Sequence, residues 1–178
     1  MITRAKPAGL VGGLLLICAA GLSAQENLLP NSSFEELDPK TACPLGWQPW
    51  VKENTAVYSL AAAHTGLACA AITDPSPTAS QGLRSPQVAV APGKVYEASV
   101  WVYVERVEAG SFSVYLEYWS GDTRVADFAV GTDVAGKWVQ LRIAQPAPPG
   151  AKGATVLLYS SSATVGRALF DDASLRAM

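Results

Sequence analysis

The chain has 178 residues, with 13 basic residues against 15 acidic ones and 49% apolar residues. Without a basic run or stripe, it offers no surface for nucleic acid or anionic membranes. That length holds one domain with an adequate core.

The first residues read as an export signal. Arg4 and Lys6 form a basic start, Leu10 to Ala20 is apolar, and Leu22-Ser23-Ala24 sets small residues before a cleavage point after Ala24. The apolar run is too short and too rich in Gly and Ala for a membrane span. The expectation is a signal peptide over 1–24 and one domain over 25–178, located outside the cell, in the periplasm or at the cell surface. Ile17 before Cys18 fits a lipidation signal poorly. Losing Arg4 and Lys6 leaves 11 basic residues against 15 acidic ones. Of three cysteines, Cys43 and Cys69 remain, and an even pair in an exported chain predicts a Cys43–Cys69 disulfide.

Strand patterns then follow one another, separated by Pro and Gly. Tyr96 to Val104 sets Tyr96, Ala98, Val100 and Val102 against Glu97, Ser99, Trp101 and Tyr103. Phe112 to Trp119 sets Phe112, Val114, Leu116 and Tyr118 against Ser113, Tyr115, Glu117 and Trp119. Trp138 to Ile143 and Thr155 to Tyr159 alternate in the same way. Period-2 alternation over many short segments predicts an all-β, jelly-roll sandwich of two antiparallel sheets. Asp74 to Ser85 reads as the longest loop, and loops of that length are often functional.

Carboxylates flank apolar runs at both ends of the domain: Asn27 to Glu36 contains Phe34-Glu35, and Ala168 to Leu175 contains Phe170-Asp171-Asp172. If the first and last strands lie side by side, Glu35 faces Asp171, and Ca²⁺ would satisfy both. Between these ends stand Cys43-Pro44-Leu45-Gly46-Trp47, His64-Thr65-Gly66, Pro92-Gly93-Lys94-Val95-Tyr96, Trp138-Val139-Gln140-Leu141 and Pro149-Gly150-Ala151. This ordered series, from Asn27 to Leu175, resembles the CenC-type (family 4/9/22-like) carbohydrate-binding modules of the galactose-binding-domain-like superfamily. The resemblance implies a secreted, non-catalytic module that binds a poly- or oligosaccharide and is often appended to a glycoside hydrolase. It also implies a structural Ca²⁺ held by the side chains of Glu35 and Asp171, with Asp172 as the alternative, and by the carbonyls of Ser33, Thr65 and Ala68. An all-oxygen set suits that ion.

The family's binding aromatics have no one-to-one match here, so the alternation supplies the candidates. Trp101, Tyr103, Tyr115 and Trp119 lie opposite the core residues of their strands, with Glu97, Glu117 and Arg142 in the same orientation. If the two strands share a sheet, the four rings form one platform for a sugar chain. If they do not, the platform splits and attention passes to the Asp74–Ser85 rim.

A second class of reading is a structural or protein-interaction domain of the cell envelope. The third, an enzyme acting on glycosidic bonds, finds little chemistry. The chain has one histidine, His64, no Gly-x-Ser-x-Gly elbow, no phosphate loop and no zinc-spaced His/Cys cluster.

Overall fold

A computed structural model describes residues 25–50, 56–59 and 62–178. The expected signal peptide, its cleavage site and Cys18 lie outside the described residues. Strands are β1 (Leu37–Asp38), β2 (Cys43–Pro44), β3 (Gln48–Pro49), β4 (Ala56–Ser59), β5 (Cys69–Asp74), β6 (Gln81–Arg84) and β7 (Val88–Ala89). The long strands follow: β8 (Val95–Ala109), β9 (Phe112–Ser120), β10 (Thr123–Thr132), β11 (Trp138–Pro146), β12 (Gly153–Ser160) and β13 (Val165–Ala177).

One sheet runs β10-β9-β12-β6-β3, with β7 also on β12; the other runs β11-β8-β13-β5-β4, and β1 pairs β2 alone. Every pairing within the sheets is antiparallel. The chain changes sheet at β3–β4, β5–β6, β7–β8, β8–β9, β10–β11, β11–β12 and β12–β13. This is the jelly-roll sandwich that the alternation predicts.

The core forms from the apolar halves of the alternating strands. Ala98, Val100, Val102 and Val104 of β8 meet Phe112, Val114, Leu116 and Tyr118 of β9, with Val156 and Leu158 of β12 and Phe170 of β13. Each large apolar side chain buried there contributes about 1.5–3 kcal/mol. Burial also pushes the Tyr118 hydroxyl up to about 12, while its O–H donates to the Gln145 carbonyl at 2.8 Å.

The two ends of the domain lie together. The Leu28 N–H donates to the Leu175 carbonyl (2.9 Å) and the Ala173 N–H to the Ser32 carbonyl (2.8 Å). The Phe34-Glu35 string follows a turn over residues 30–33, closed by the Phe34 N–H on the Asn31 carbonyl, and forms no strand. Phe34 has φ 58°, a costly conformation for a bulky residue. Complete burial against Trp47, with ring centroids 4.9 Å apart, holds it there.

Two expectations are corrected here. No disulfide joins Cys43 and Cys69. Both are buried, but Cys43 packs in the main core and Cys69 in a smaller cluster with Ala71 and Leu169; burial pushes the Cys43 thiol up. The Asp74–Ser85 segment is not one long loop either. Asp74 ends β5, fully buried, and accepts from Ser160 Oγ at 2.6 Å, while Gln81–Arg84 enters the first sheet as β6.

Candidate functional site

The two aromatic-bearing strands fall in different sheets, β8 in one and β9 in the other, so the four-ring platform does not form. Tyr115, Glu117 and Trp119 point outward from β9, whereas Glu97, Trp101, Tyr103 and Arg142 belong to the outer face of the opposite sheet. Alternation tells which side of a strand a residue occupies, but not which sheet the strand joins.

On the β9 side an aromatic strip crosses the sheet. The Arg84 guanidinium lies 4.2 Å from the Trp50 ring and 5.1 Å from the Trp119 ring. Trp50 meets Tyr159 edge-on at 5.7 Å, and Tyr159 meets Tyr115 at 5.5 Å. The order is therefore Trp119, Arg84, Trp50, Tyr159, Tyr115, on strands β9, β6 and β12 and the end of β3. The register explains it: Leu157 sits opposite both Tyr115 and Arg84, while Tyr159 sits opposite Gly82. Gly82 lacks the Cβ that would come within 3.1 Å of both Trp50 and Tyr159 and 2.8 Å of the Leu158 carbonyl. Only glycine lets the two rings close over β6.

A buried ionic network holds the strip. Glu117 was expected as an exposed flank but is fully buried. It accepts from Arg84 Nε (2.7 Å) and Nη2 (2.9 Å), from Arg124 Nη1 (2.9 Å) and from Thr155 Oγ1 (2.8 Å). Thr155 Oγ1 in turn accepts the Trp119 indole N–H at 2.9 Å. Four hydrogen bonds from three residues offset the desolvation of the carboxylate. Its hydrogen bond holds the Arg124 guanidinium above its usual range, and burial raises the Tyr115 hydroxyl.

Two hollows flank this ridge. One, of about 400 Å³, lies beside Trp119, Arg84, Gln87 and Asp122; the other, of about 200 Å³, lies between Trp50, Tyr115, Arg124 and Tyr159. Half-buried rings with polar groups at their edges suit a hydroxylated ring that has one apolar face. The sequence reading missed Trp50, Arg84 and Arg124.

On the opposite sheet Trp101 stacks on His64, centroids 4.2 Å apart and planes 17° apart. Tyr103 packs against Trp138 beside the small Cys69 cluster. Arg142 reaches Glu97 at 3.3 Å and Gln140 at 2.8 Å.

Of the expected metal residues, Glu35 and Asp171 both reach the 64–68 turn. Asp171 is buried and accepts the N–H groups of His64 (2.8 Å), Thr65 (3.0 Å) and Asp172 (2.7 Å). Glu35 accepts those of Leu67 (3.1 Å) and Ala68 (3.3 Å). Asp172 instead turns outward, with φ 47°, to accept from Thr65 Oγ1 at 2.6 Å and His64 Nδ1 at 2.7 Å. Burial pushes the Asp171 carboxyl up to about 6, against the lowering effect of its amide partners. Among the described residues no three His, Cys, Asp or Glu side chains group as a metal site, so a cation here would depend on backbone carbonyls.

The fold and the exposed strip together define a β-sandwich with a ridge of aromatic side chains across one sheet. The sequence matches the family described as Carbohydrate binding domain (CBM_4_9) over residues 26–163, and the chain belongs to that family. Among solved structures the chain is similar to Family 16 Carbohydrate Binding Module-2, at 16% identity and TM-score 0.65, covering 84% of this chain and 99% of that one. It is similar to the CBM22-1 xylan-binding domain from Paenibacillus barcinonensis Xyn10C, at 18% identity and TM-score 0.61, covering 86% and 96%. A third is the enzymatically active domain of tailspike protein 4 from bacteriophage CBA120, at 14% identity and TM-score 0.65. The match covers 85% of this chain but only 21% of the tailspike chain. At these identities the likeness shows the fold alone. A search of curated proteins found no match.

Proposed function

We propose that this carbohydrate-binding domain is an exported, non-catalytic module that binds a poly- or oligosaccharide along the strip from Trp119 through Arg84 and Trp50 to Tyr159 and Tyr115. The observation that carries this reading is the strip itself, locked from below by Glu117. Rings held this way lose little freedom when a sugar stacks on them, which favours binding. Export is read from residues 1–24, and a partner glycoside hydrolase or envelope protein accords with that reading.

A structural Ca²⁺ belongs to the same proposal. Glu35 and Asp171 converge on the 64–68 turn, and the carbonyls of Ser33, Thr65 and Ala68 would complete a hard oxygen set. Asp171 is a desolvated carboxylate whose described partners are all backbone N–H groups. A cation beside it would relieve that cost. Gly66 supports the arrangement, since a Cβ there would lie 2.0 Å from Glu35 Oε1.

The test is calorimetric titration of residues 25–178 with xylohexaose, cellohexaose and β-1,4-galactotriose, on the wild type and on Trp50→Ala and Trp119→Ala. Binding by the wild type that weakens in both variants supports the reading. Silence across the three sugars, or variants that bind like wild type, would overturn it.

A further inference from the structure

The outer face of the second sheet carries a pocket of about 400 Å³, as large as the one beside Trp119. It arises from a slip in β13. Asp171 pairs with Trp101 and Ser174 with Ser99, so Asp172 and Ala173 together oppose Val100 alone. Bulges of this kind re-aim side chains. Here the bulge turns Asp172 out onto the 64–68 turn and leaves Ser174 beside Ser99, their hydroxyls 2.8 Å apart at the pocket floor.

The wall is the Trp101 indole, half-buried and backed by the parallel His64 ring. Asp172 fixes that ring through Nδ1, and Asp171 fixes its backbone N–H, so the indole stands against a rigid support. Across the pocket, Gln140 Oε1 accepts from Arg142 Nε and Nη2 (3.1 and 2.8 Å), which leaves guanidinium N–H groups available to a ligand. Each floor hydroxyl likewise keeps hydrogen-bonding capacity beyond its neighbour. Arg142 and Arg176 are balanced by Glu97 and Asp172 on the same lining, so the pocket carries no formal charge. One flat apolar wall, a floor of hydroxyls and a neutral rim match an uncharged sugar ring, and give an anion no preference.

We infer that this pocket is a second, independent site for a neutral oligosaccharide, on the face opposite the Trp50–Trp119 strip. The inference rests on the proposed glycan-binding reading. Two sites on opposite faces would let one domain bridge two chains of a polysaccharide, so that avidity exceeds either affinity.

The test separates the two faces spectroscopically. The chain has five tryptophans, and labelling with 5-fluorotryptophan gives each its own ¹⁹F resonance, assigned by substitution. Xylohexaose, cellohexaose and β-1,4-galactotriose are titrated at saturating Ca²⁺, so that the 64–68 turn stays fixed. With at least one sugar the Trp101 resonance should shift along its own saturation curve and keep doing so in Trp119→Ala. In Arg142→Ala, an exposed position outside the core, the midpoint for Trp101 should rise about tenfold while that for Trp119 stays put. A Trp101 resonance that stays still while Trp119 saturates overturns the second site and leaves the first standing. Movement of Trp101 that disappears in Trp119→Ala also overturns it. Silence of every resonance overturns both.

Discussion

Arg84 and Glu117 meet as a fork, Nε to Oε2 at 2.7 Å and Nη2 to Oε1 at 2.9 Å, with the carboxylate fully buried and the guanidinium between two indoles. The planar, two-pronged geometry explains why arginine stands here. A lysine ammonium neither pairs both oxygens nor lies flat between rings. Arg84→Lys should retain the charge and the fold yet weaken glycan binding about tenfold, read by titration calorimetry. Wild-type affinity in that variant would show that the fork does not order the strip.

Glu117 is the electrostatic centre of the network, and removing its charge leaves two guanidiniums beside a neutral group. Breaking a buried ion pair costs about 3–5 kcal/mol. Both arginines here reach solvent, with side chains 25% and 41% exposed, so Glu117→Gln should cost about 2–3 kcal/mol. Urea unfolding measures this, and a change below about 0.5 kcal/mol would mean that the network is slack.

Gly82 gives the strip its closest approach. A methyl at this position meets the Leu158 carbonyl at 2.8 Å and both Trp50 and Tyr159 at 3.1 Å, so Gly82→Ala must part the rings or shift β6. Trp50→Ala and Trp119→Ala should each lower affinity by about 1–3 kcal/mol, by analogy with base–aromatic stacking. Gly82→Ala should reproduce part of that loss without removing any ring. Equal affinity for Gly82→Ala and wild type would separate binding from ring spacing.

Much of this was legible beforehand. The alternations in 96–104 and 112–119 identified the core, and they turned Tyr115, Glu117 and Trp119 outward. What they could not carry was sheet membership, because successive strands of a sandwich can join either layer. Trp50 and Arg84 escaped for a different reason. They sit on or beside strands of two and four residues, β3 and β6, too short for alternation to show. The burial of Glu117 follows from partners on other strands, and an even number of cysteines says nothing of the distance between them.

The proposed Ca²⁺ should act on stability through mass action. At a hundredfold excess over Kd it adds about 2.7 kcal/mol, or several degrees in Tm. Chelator should remove that increment, and Glu35→Ala or Asp171→Ala should leave a Tm indifferent to chelator. A wild-type melting curve that is the same in calcium and chelator would sink the metal assignment.

Asp171 should also set a pH dependence that metal abolishes. Its carboxyl stands near 6 when folded, from burial, against 3.8 for the ordinary group. As pH rises from about 4 to about 6 the unfolded chain has released this proton while the folded chain still holds it. The folded state then binds more protons, so stability falls with rising pH across that window. Two units correspond to a loss on the order of 3 kcal/mol, complete above about pH 6 and absent below about pH 4. Saturating Ca²⁺ binds the ionised form, draws the carboxyl back down by about two units at a hundredfold excess over Kd, and should flatten the fall across this window. Urea unfolding at steps across this range, in chelator and in Ca²⁺, gives the comparison. Subtracting Asp171→Asn removes every other titrating group from the difference. If that difference is flat with pH in chelator, the carboxylate does not carry the burial cost assigned to it.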